Sequence, residues 1–327
     1  MLQALTNSPV PASVLASRAM LRGVRISQWD GRKLDKRASD EVIRSKGAAS
    51  DAGRFNKTLV PPEALSDVKA AANRIRTIHA RYTLPWSDNG LDILPAASVQ
   101  AYDADMRQAR MDFEDATERL VALYPTLLET APARLGELFN PGDYPTTAEI
   151  RSRFGIRIRT LPMPTAADFR VEISDAQARM LREEIERDSR EALEEAMRAA
   201  WQRVADVVSP MIEKLRTYRP AAFKGDKAEG IFRDTLVQNV RDLVAVLPAF
   251  NLTANPDLES ITAAMKHETE RQHASRELFE VLRPLLRLTE EETTRVEEAL
   301  ENFVTAFAEH EASKALDREF NRGEFRY

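Results

Sequence analysis

Residues 174–218 read as one helix of uncommon length, and a chain that contains it must fold largely as helices. Ser174 supplies a cap, and Gln177 three positions later completes a capping box. No glycine follows until Gly225, and Pro210 is the one proline in the stretch. At 1.5 Å per residue such a rod spans roughly 65 Å, more than a compact domain is wide. Its apolar positions run Leu181, Ile185, Leu193, Ala196, Ala200, Val204, Val207, Met211, Leu215 and Tyr218. They recur about every 3.7 residues, which predicts little left-handed supercoil. Arg182–Glu191 is polar except for Ile185 and is expected to stand in solvent. Ser209-Pro210 predicts either a kink or a new helix with proline at its first position.

The segment 96–124 has the clearest heptad pattern. Val99, Met106, Phe113 and Leu120 are seven apart, and so are Tyr102, Ala109, Ala116 and Leu123. Such alternating steps of three and four suit an association seam between helices, or the buried stripe of a helix inside one globule. Pro125 is expected to end it. Pro61-Pro62 opens another helix to Tyr82, with Leu65, Val68, Ala72, Ile75, His79 and Tyr82 on one stripe. Three more helices are expected at about 228–247, 256–285 and 290–318. Asn255-Pro256 caps the second, and Thr289 with Glu292 boxes the third.

Extended structure is confined to short alternating runs. Val24–Trp29, Phe154–Leu161 and Asp168–Ile173 alternate as half-buried strands do, and together they predict a small three-stranded sheet. Asp30-Gly31 closes the first in a turn. Arg32–Lys57, basic and punctuated by Gly47 and Gly53, reads as loop, and Thr83–Gly90 reads as a turn-rich connector. The expected fold class is therefore mainly α: an elongated, coiled-coil-like helical protein with a small antiparallel β element in its N-terminal half. Its parts are an N-terminal body at 1–173, a long connecting helix at 174–218 and a helical region at 219–327.

Composition narrows the chemistry. The chain has no cysteine, which excludes disulfides, thiol nucleophiles and Cys-ligated metals. No apolar run approaches the length of a membrane span, and Met1–Val14 lacks the basic and apolar regions of a secretory signal. A soluble, intracellular protein without membrane contact is expected. Gly47–Arg54 has the wrong spacing for a phosphate loop and lacks its Lys-Ser/Thr. Glu270 and His273 have the Glu-x-x-His spacing of helix-bundle dimetal sites, but no second pair accompanies them. His267-Glu268 lacks a zincin's second histidine, and His79 and His310 continue apolar stripes as core-edge residues. No catalytic residue, cofactor or metal site is expected.

Charge is unevenly spread. Residues 1–90 hold 15 Lys+Arg and 8 Asp+Glu, net +7, which leaves the remainder at net −12. This asymmetry suits an anionic partner for the N-terminal part, head-to-tail contact between copies, or simply a solvated basic face. Within Arg22–Lys57 the cations Arg25, Arg32, Lys33, Lys36, Arg37, Arg54 and Lys57 lie near Trp29 and Phe55. Phosphate neutralisation with base stacking uses these residue types, so Arg25, Trp29, Arg32, Lys33, Lys36, Arg37, Arg54 and Lys57 are candidate nucleic-acid contacts.

Several stretches carry a resemblance. Ile26-Ser-Gln-Trp29-Asp-Gly-Arg-Lys33, Gly53-Arg-Phe-Asn-Lys57, Thr83-Leu-Pro-Trp-Ser-Asp-Asn-Gly90, Phe154-Gly-Ile-Arg-Ile158 and Asp168-Phe-Arg-Val171 are similar to a family of phage and mobile-element proteins. That family is described as a domain of unknown function. Its members are often encoded beside a cobaltochelatase-like AAA ATPase and a von Willebrand factor A-type protein. The resemblance implies an adaptor or scaffold in a phage or plasmid DNA-metabolism module, with an AAA ATPase as a possible partner, and it transfers no catalytic residue. The expected function is a non-enzymatic, self-associating scaffold whose seam is Val99, Tyr102, Met106, Phe113 and Leu120. The alternative is a nucleic-acid binder that uses Arg22–Lys57.

Overall fold

The computed structural model describes residues 12–87, 90–165, 174–217 and 234–270. In chain order the elements are α1 (Ala12–Arg18), β1 (Ala19–Ser27), β2 (Arg32–Leu34), α2 (Lys36–Ser45), β3 (Asn56–Thr58), α3 (Ser66–Tyr82), β4 (Leu84–Ser87) and β5 (Leu91–Pro95). There follow α4 (Val99–Leu135), α5 (Thr147–Ser152), β6 (Gly155–Pro162), α6 (Asp175–Thr217), α7 (Asp234–Phe250) and α8 (Pro256–Glu270). The fold is mainly α, with a small antiparallel sheet in the N-terminal half. One sheet has strand order β4-β5-β1-β6, and β2-β3 forms a separate ribbon.

Two compact units divide the chain. One comprises residues 20–83 and 87–162. Its centre is the antiparallel pair α3 and α4, tied along its length by Asp67 to Arg119, Arg74 to Asp112, and the Tyr82 hydroxyl donating to Asp105 at 2.7 Å. Val68, Ala72 and Ile75 on α3 are buried, as are Tyr102, Met106, Ala109, Phe113, Ala116 and Leu120 on α4. The second unit includes residues 12–19, 84–86, 163–165, 174–217 and 234–270. Its α6 packs with α1 and α7, and α7 with α8. Leu193, Ala196, Met197, Ala200, Trp201 and Val204 make the buried stripe of α6, and Leu243, Leu247 and Phe250 that of α7. The Arg203 guanidinium lies 4.7 Å over the Phe250 ring, and Arg18 donates to the Leu252 carbonyl.

The heptad stripe of α4 is thus filled inside the chain. Tyr102, Met106, Phe113 and Leu120 are each no more than 3% exposed, with Val99 half-buried at one end and Leu123 exposed at the other. These side chains already have apolar partners, and each buried large one contributes about 1.5–3 kcal/mol to this unit. As an association seam they are corrected to an intramolecular core.

Other expectations also change. α4 does not stop at Pro125 but runs to Leu135 through both Pro125 and Pro132. Buried Leu120, Val121, Tyr124 and Ala131 flank the prolines, and the Tyr124 hydroxyl donates to the Pro145 carbonyl at 2.9 Å. That packing offsets the roughly 3 kcal/mol a helix-interior proline costs. The expected loop Arg32–Lys57 holds β2, α2 and β3. Asp35 caps α2 by accepting from the Ala38 N–H, and the Ser39 hydroxyl accepts from the Phe55 N–H. The expected connector Thr83–Gly90 contains β4, and β5 follows it directly. β1 does pair with β6, but β5 is its other neighbour.

The long helix matches its reading closely. α6 spans Asp175–Thr217, with Ser174 and Gln177 forming the reciprocal cap and Pro210 inside the helix rather than opening a new one. α7 is described from Asp234 and ends at Phe250, later than expected, and α8 begins at Pro256 with Asn255 accepting from the Asp257 and Leu258 N–H groups. The strand expected at Asp168–Ile173, the helix at 290–318, and His273 and His310 lie outside the described residues. Among the described residues no helix is long and apolar enough to cross a membrane.

Candidate functional site

The basic residues of the N-terminal part divide by what surrounds them. Lys57 sits on β3, and the ladder puts it opposite Lys33 of β2. Its side chain is 5% exposed, and its ammonium meets Asp35 at 3.0 Å, the Asp143 carboxylate, and the Leu138 carbonyl at 2.9 Å. An ammonium has three protons, so three acceptors satisfy it completely. Lys33 adds a contact to Asp143 at 2.9 Å. The hydrogen bond from the Ala38 N–H, then that from Lys57, holds the Asp35 carboxyl below its ordinary value. Burial alone would raise Asp143 and lower Lys57. The hydrogen bonds between them, with those from Lys33 and to Asp35, reverse both directions. Two further bonds fasten this module: Arg134 donates to the Thr58 carbonyl at 2.6 Å, and the Tyr144 hydroxyl to the Leu59 carbonyl at 2.9 Å. Lys57 is a structural latch, which corrects its reading as a phosphate contact.

Trp29 is corrected for a similar reason. It is 5% exposed and stands edge-on to Tyr124, ring centroids 6.0 Å apart, so no base can reach its face. The tight turn that buries it needs Gly31, whose φ is +70° and whose missing Cβ would lie 2.9 Å from Val60 and Leu65 side-chain atoms. Arg22 is also engaged: it lies 5.2 Å over the Tyr102 ring and bonds both Asp103 and Thr160. By contrast Arg25, Arg32, Lys36, Arg37 and Arg54 are exposed. The same module exposes three large apolar side chains, Leu34 (38%), Val42 (50%) and Phe55 (36%). α2 buries only the first turn of its apolar stripe, at Ala38 and Ser39, and leaves Val42 open.

A second grouping comes from the sheet. The β1–β6 register sets Arg25 opposite Arg157, and Gly23 opposite Arg159. Side chains alternate faces along a strand, so Arg25, Arg157 and Arg159 share one face. All three are exposed, and none of their side chains has a hydrogen bond or ion pair among the described residues. The opposite face carries Arg22, Val24, Ile26, Ile156 and Ile158, all at least half-buried. The alternation of Phe154–Leu161 marks a strand in the sequence, and the same alternation carries Arg157 and Arg159, which are absent from the candidate contacts. The signal was present, because period-2 alternation that buries the isoleucines must expose both arginines together.

The remaining polar cluster is structural in its geometry. His79 Nδ1 lies 3.0 Å from the Tyr102 hydroxyl and Nε2 lies 2.8 Å from Asp92, a carboxylate–imidazole–phenol chain. Tyr102 is fully buried, which pushes its hydroxyl up to about 12, and no substrate can reach it. His79 is thereby placed at the core edge, as its stripe implied. Among the described residues no three His, Asp or Glu side chains converge on a point that could hold a metal ion. No family model, curated protein or solved structure matches this chain, so the functional reading rests on the side chains themselves.

Proposed function

We propose that the chain is a non-enzymatic, self-associating scaffold or adaptor of phage or mobile-element type, acting in the cytoplasm of a bacterial host within a DNA-metabolism module. The motif resemblance supports the setting and makes an AAA ATPase a candidate partner. The observation that carries the scaffold reading is the β2–α2–β3 module. Of the seven large hydrophobics exposed among the described residues, three fall within residues 34–55, on a module latched by Lys57. Exposed apolar side chains on a module that also exposes charged ones are the makings of an interface with a polar rim. The acidic remainder of the chain, at net −12, supplies a complementary surface on a second copy.

Sedimentation of the full chain across a range of concentrations tests this. The expected result is a reversible oligomer that Val42→Asp with Phe55→Ser shifts to monomer while the melting temperature holds. A wild-type chain that stays monomeric throughout removes self-association from the reading. A second reading, nucleic-acid binding, is favoured by the exposure of Arg25, Arg32, Lys36, Arg37 and Arg54 on the same part of the chain.

A further inference from the structure

Three arginines on one sheet face, with no carboxylate to receive them among the described residues, call for a physical account. Arg25 and Arg157 stand directly opposite, which brings their Cβ atoms to about 4.5–5.5 Å, and like charges so placed are destabilising. Arg159 lies two residues along β6, about 7 Å further on the same face. Gly23 opposite it contributes no side chain, and a Cβ there would come within 2.8 Å of the Gly90 carbonyl oxygen. Edge protection explains part of this, because β6 is an edge strand among the described residues and charged side chains discourage edge pairing. It does not explain Arg25, which lies on β1 between two neighbouring strands.

We propose that Arg25, Arg157 and Arg159 form a phosphate-contacting face that takes the backbone of a nucleic acid. This deepens the nucleic-acid reading given above and rests on it, while standing apart from self-association. Guanidinium groups suit phosphate because their planar forks donate two parallel hydrogen bonds to its oxygens. The spacing of side chains two apart on a strand is comparable with that of successive phosphates along a nucleic-acid strand. On β1 and β6 the other residues of this face are Leu21, which is buried, with Ser27, Gly155 and Leu161, so these two strands offer no aromatic side chain for base stacking. Recognition is therefore of backbone without base sequence, and a duplex serves as ligand. Acidic protein and anionic membrane are less suited. Among the described residues the face is a paired strand ladder, and its arginines are set in a row along β6 and across to β1.

The experiment uses the full chain and a short fluorescein-labelled duplex, with anisotropy read from about 50 to about 200 mM salt. Arg157→Gln with Arg159→Gln should reduce the slope of log affinity against log salt by about 1.8, since each phosphate contact contributes about 0.9. Arg157→Lys with Arg159→Lys should keep the slope. Arg32→Gln with Lys36→Gln and Arg37→Gln should leave the share due to β6 in place. If only the α2-region variant flattens the slope, nucleic-acid binding stands and this face is overturned. If the wild-type chain does not bind at about 50 mM salt, the whole nucleic-acid reading falls. Binding to phosphatidylserine vesicles or polyglutamate, but not to the duplex, overturns the proposal as well. Hydrogen exchange on the unsubstituted chain keeps the test independent of variant folding: the duplex should protect amides of residues 155–162 and 20–27, and unchanged exchange there overturns the face.

Discussion

Lys57 on β3 and Arg159 on β6 are both strand cations followed by threonine, yet the fold uses them in opposite ways. Lys57 meets Asp35, Asp143 and the Leu138 carbonyl and disappears from the surface. Arg159 faces a glycine across its ladder and remains in solvent. Their neighbours in sequence do not distinguish them. What distinguishes them is whether a carboxylate from far along the chain, here Asp143, folds back against the strand. A cation-rich stretch is thus not a basic surface until its acids have been located.

The comparison can be broken most forcefully at the latch. Lys57→Met would leave Asp35 and Asp143 facing each other with only the half-exposed Lys33 on Asp143, and about 3 kcal/mol of stability should be lost in denaturant unfolding. Adding Asp35→Asn and Asp143→Asn should recover part of it, since asparagine still caps α2 and removes the repulsion. If Lys57→Met melts like the wild type, the latch is ornamental and Lys57 returns to the set of free cations.

A smaller effect is expected from pH. Both carboxyls of the latch are held below their ordinary value in the folded chain. Their stabilisation is therefore complete above the unfolded value of about 3.9 and is lost as pH falls through the lower folded values. Lys57 is raised, so its share persists up to about pH 10.5 and is lost above it. Thermal melts between about pH 5 and pH 2 should show a steeper decline in the wild type than in Asp143→Asn. Parallel curves for the two proteins would assign acid sensitivity elsewhere.

The smallest effect belongs to the arginine face. Arg157→Gln with Arg159→Gln should change stability by no more than about 0.5 kcal/mol, as exposed substitutions do, and relief of like-charge repulsion could make the sign favourable. A loss of about 2 kcal/mol or more would show that these arginines hold the fold together. The contrast with Lys57 would then vanish.

Local signals made much of this molecule legible. The start of α6 with its cap at Ser174, and the buried stripes of α3 and α4, follow from the cap signal and from steps of three and four, because a helix closes its hydrogen bonds within its own turns. β1 and β6 were legible for the same kind of reason, through alternation at period two. The module at 32–58 was harder. Asp35 three residues before Ala38 is a cap signal that could have revealed α2, but β2 and β3 are each three residues long and carry no periodicity. β4 was hidden by Pro85, which an edge strand tolerates because one of its sides needs no ladder hydrogen bond.

Sequence by itself determined that this chain is mostly helix, where the long helices run, and which of their faces are apolar. Only the tertiary structure decided what those faces meet. The heptad stripe of α4 met α3 of its own chain, α4 continued through two prolines because buried neighbours hold it, and Lys57 and Trp29 left the surface while Arg157 and Arg159 stayed on it. Periodicity is a property of neighbouring residues and can be read along the chain. Burial and charge pairing depend on groups such as Asp143 and Tyr124, tens of residues away, and exist only once the chain has folded.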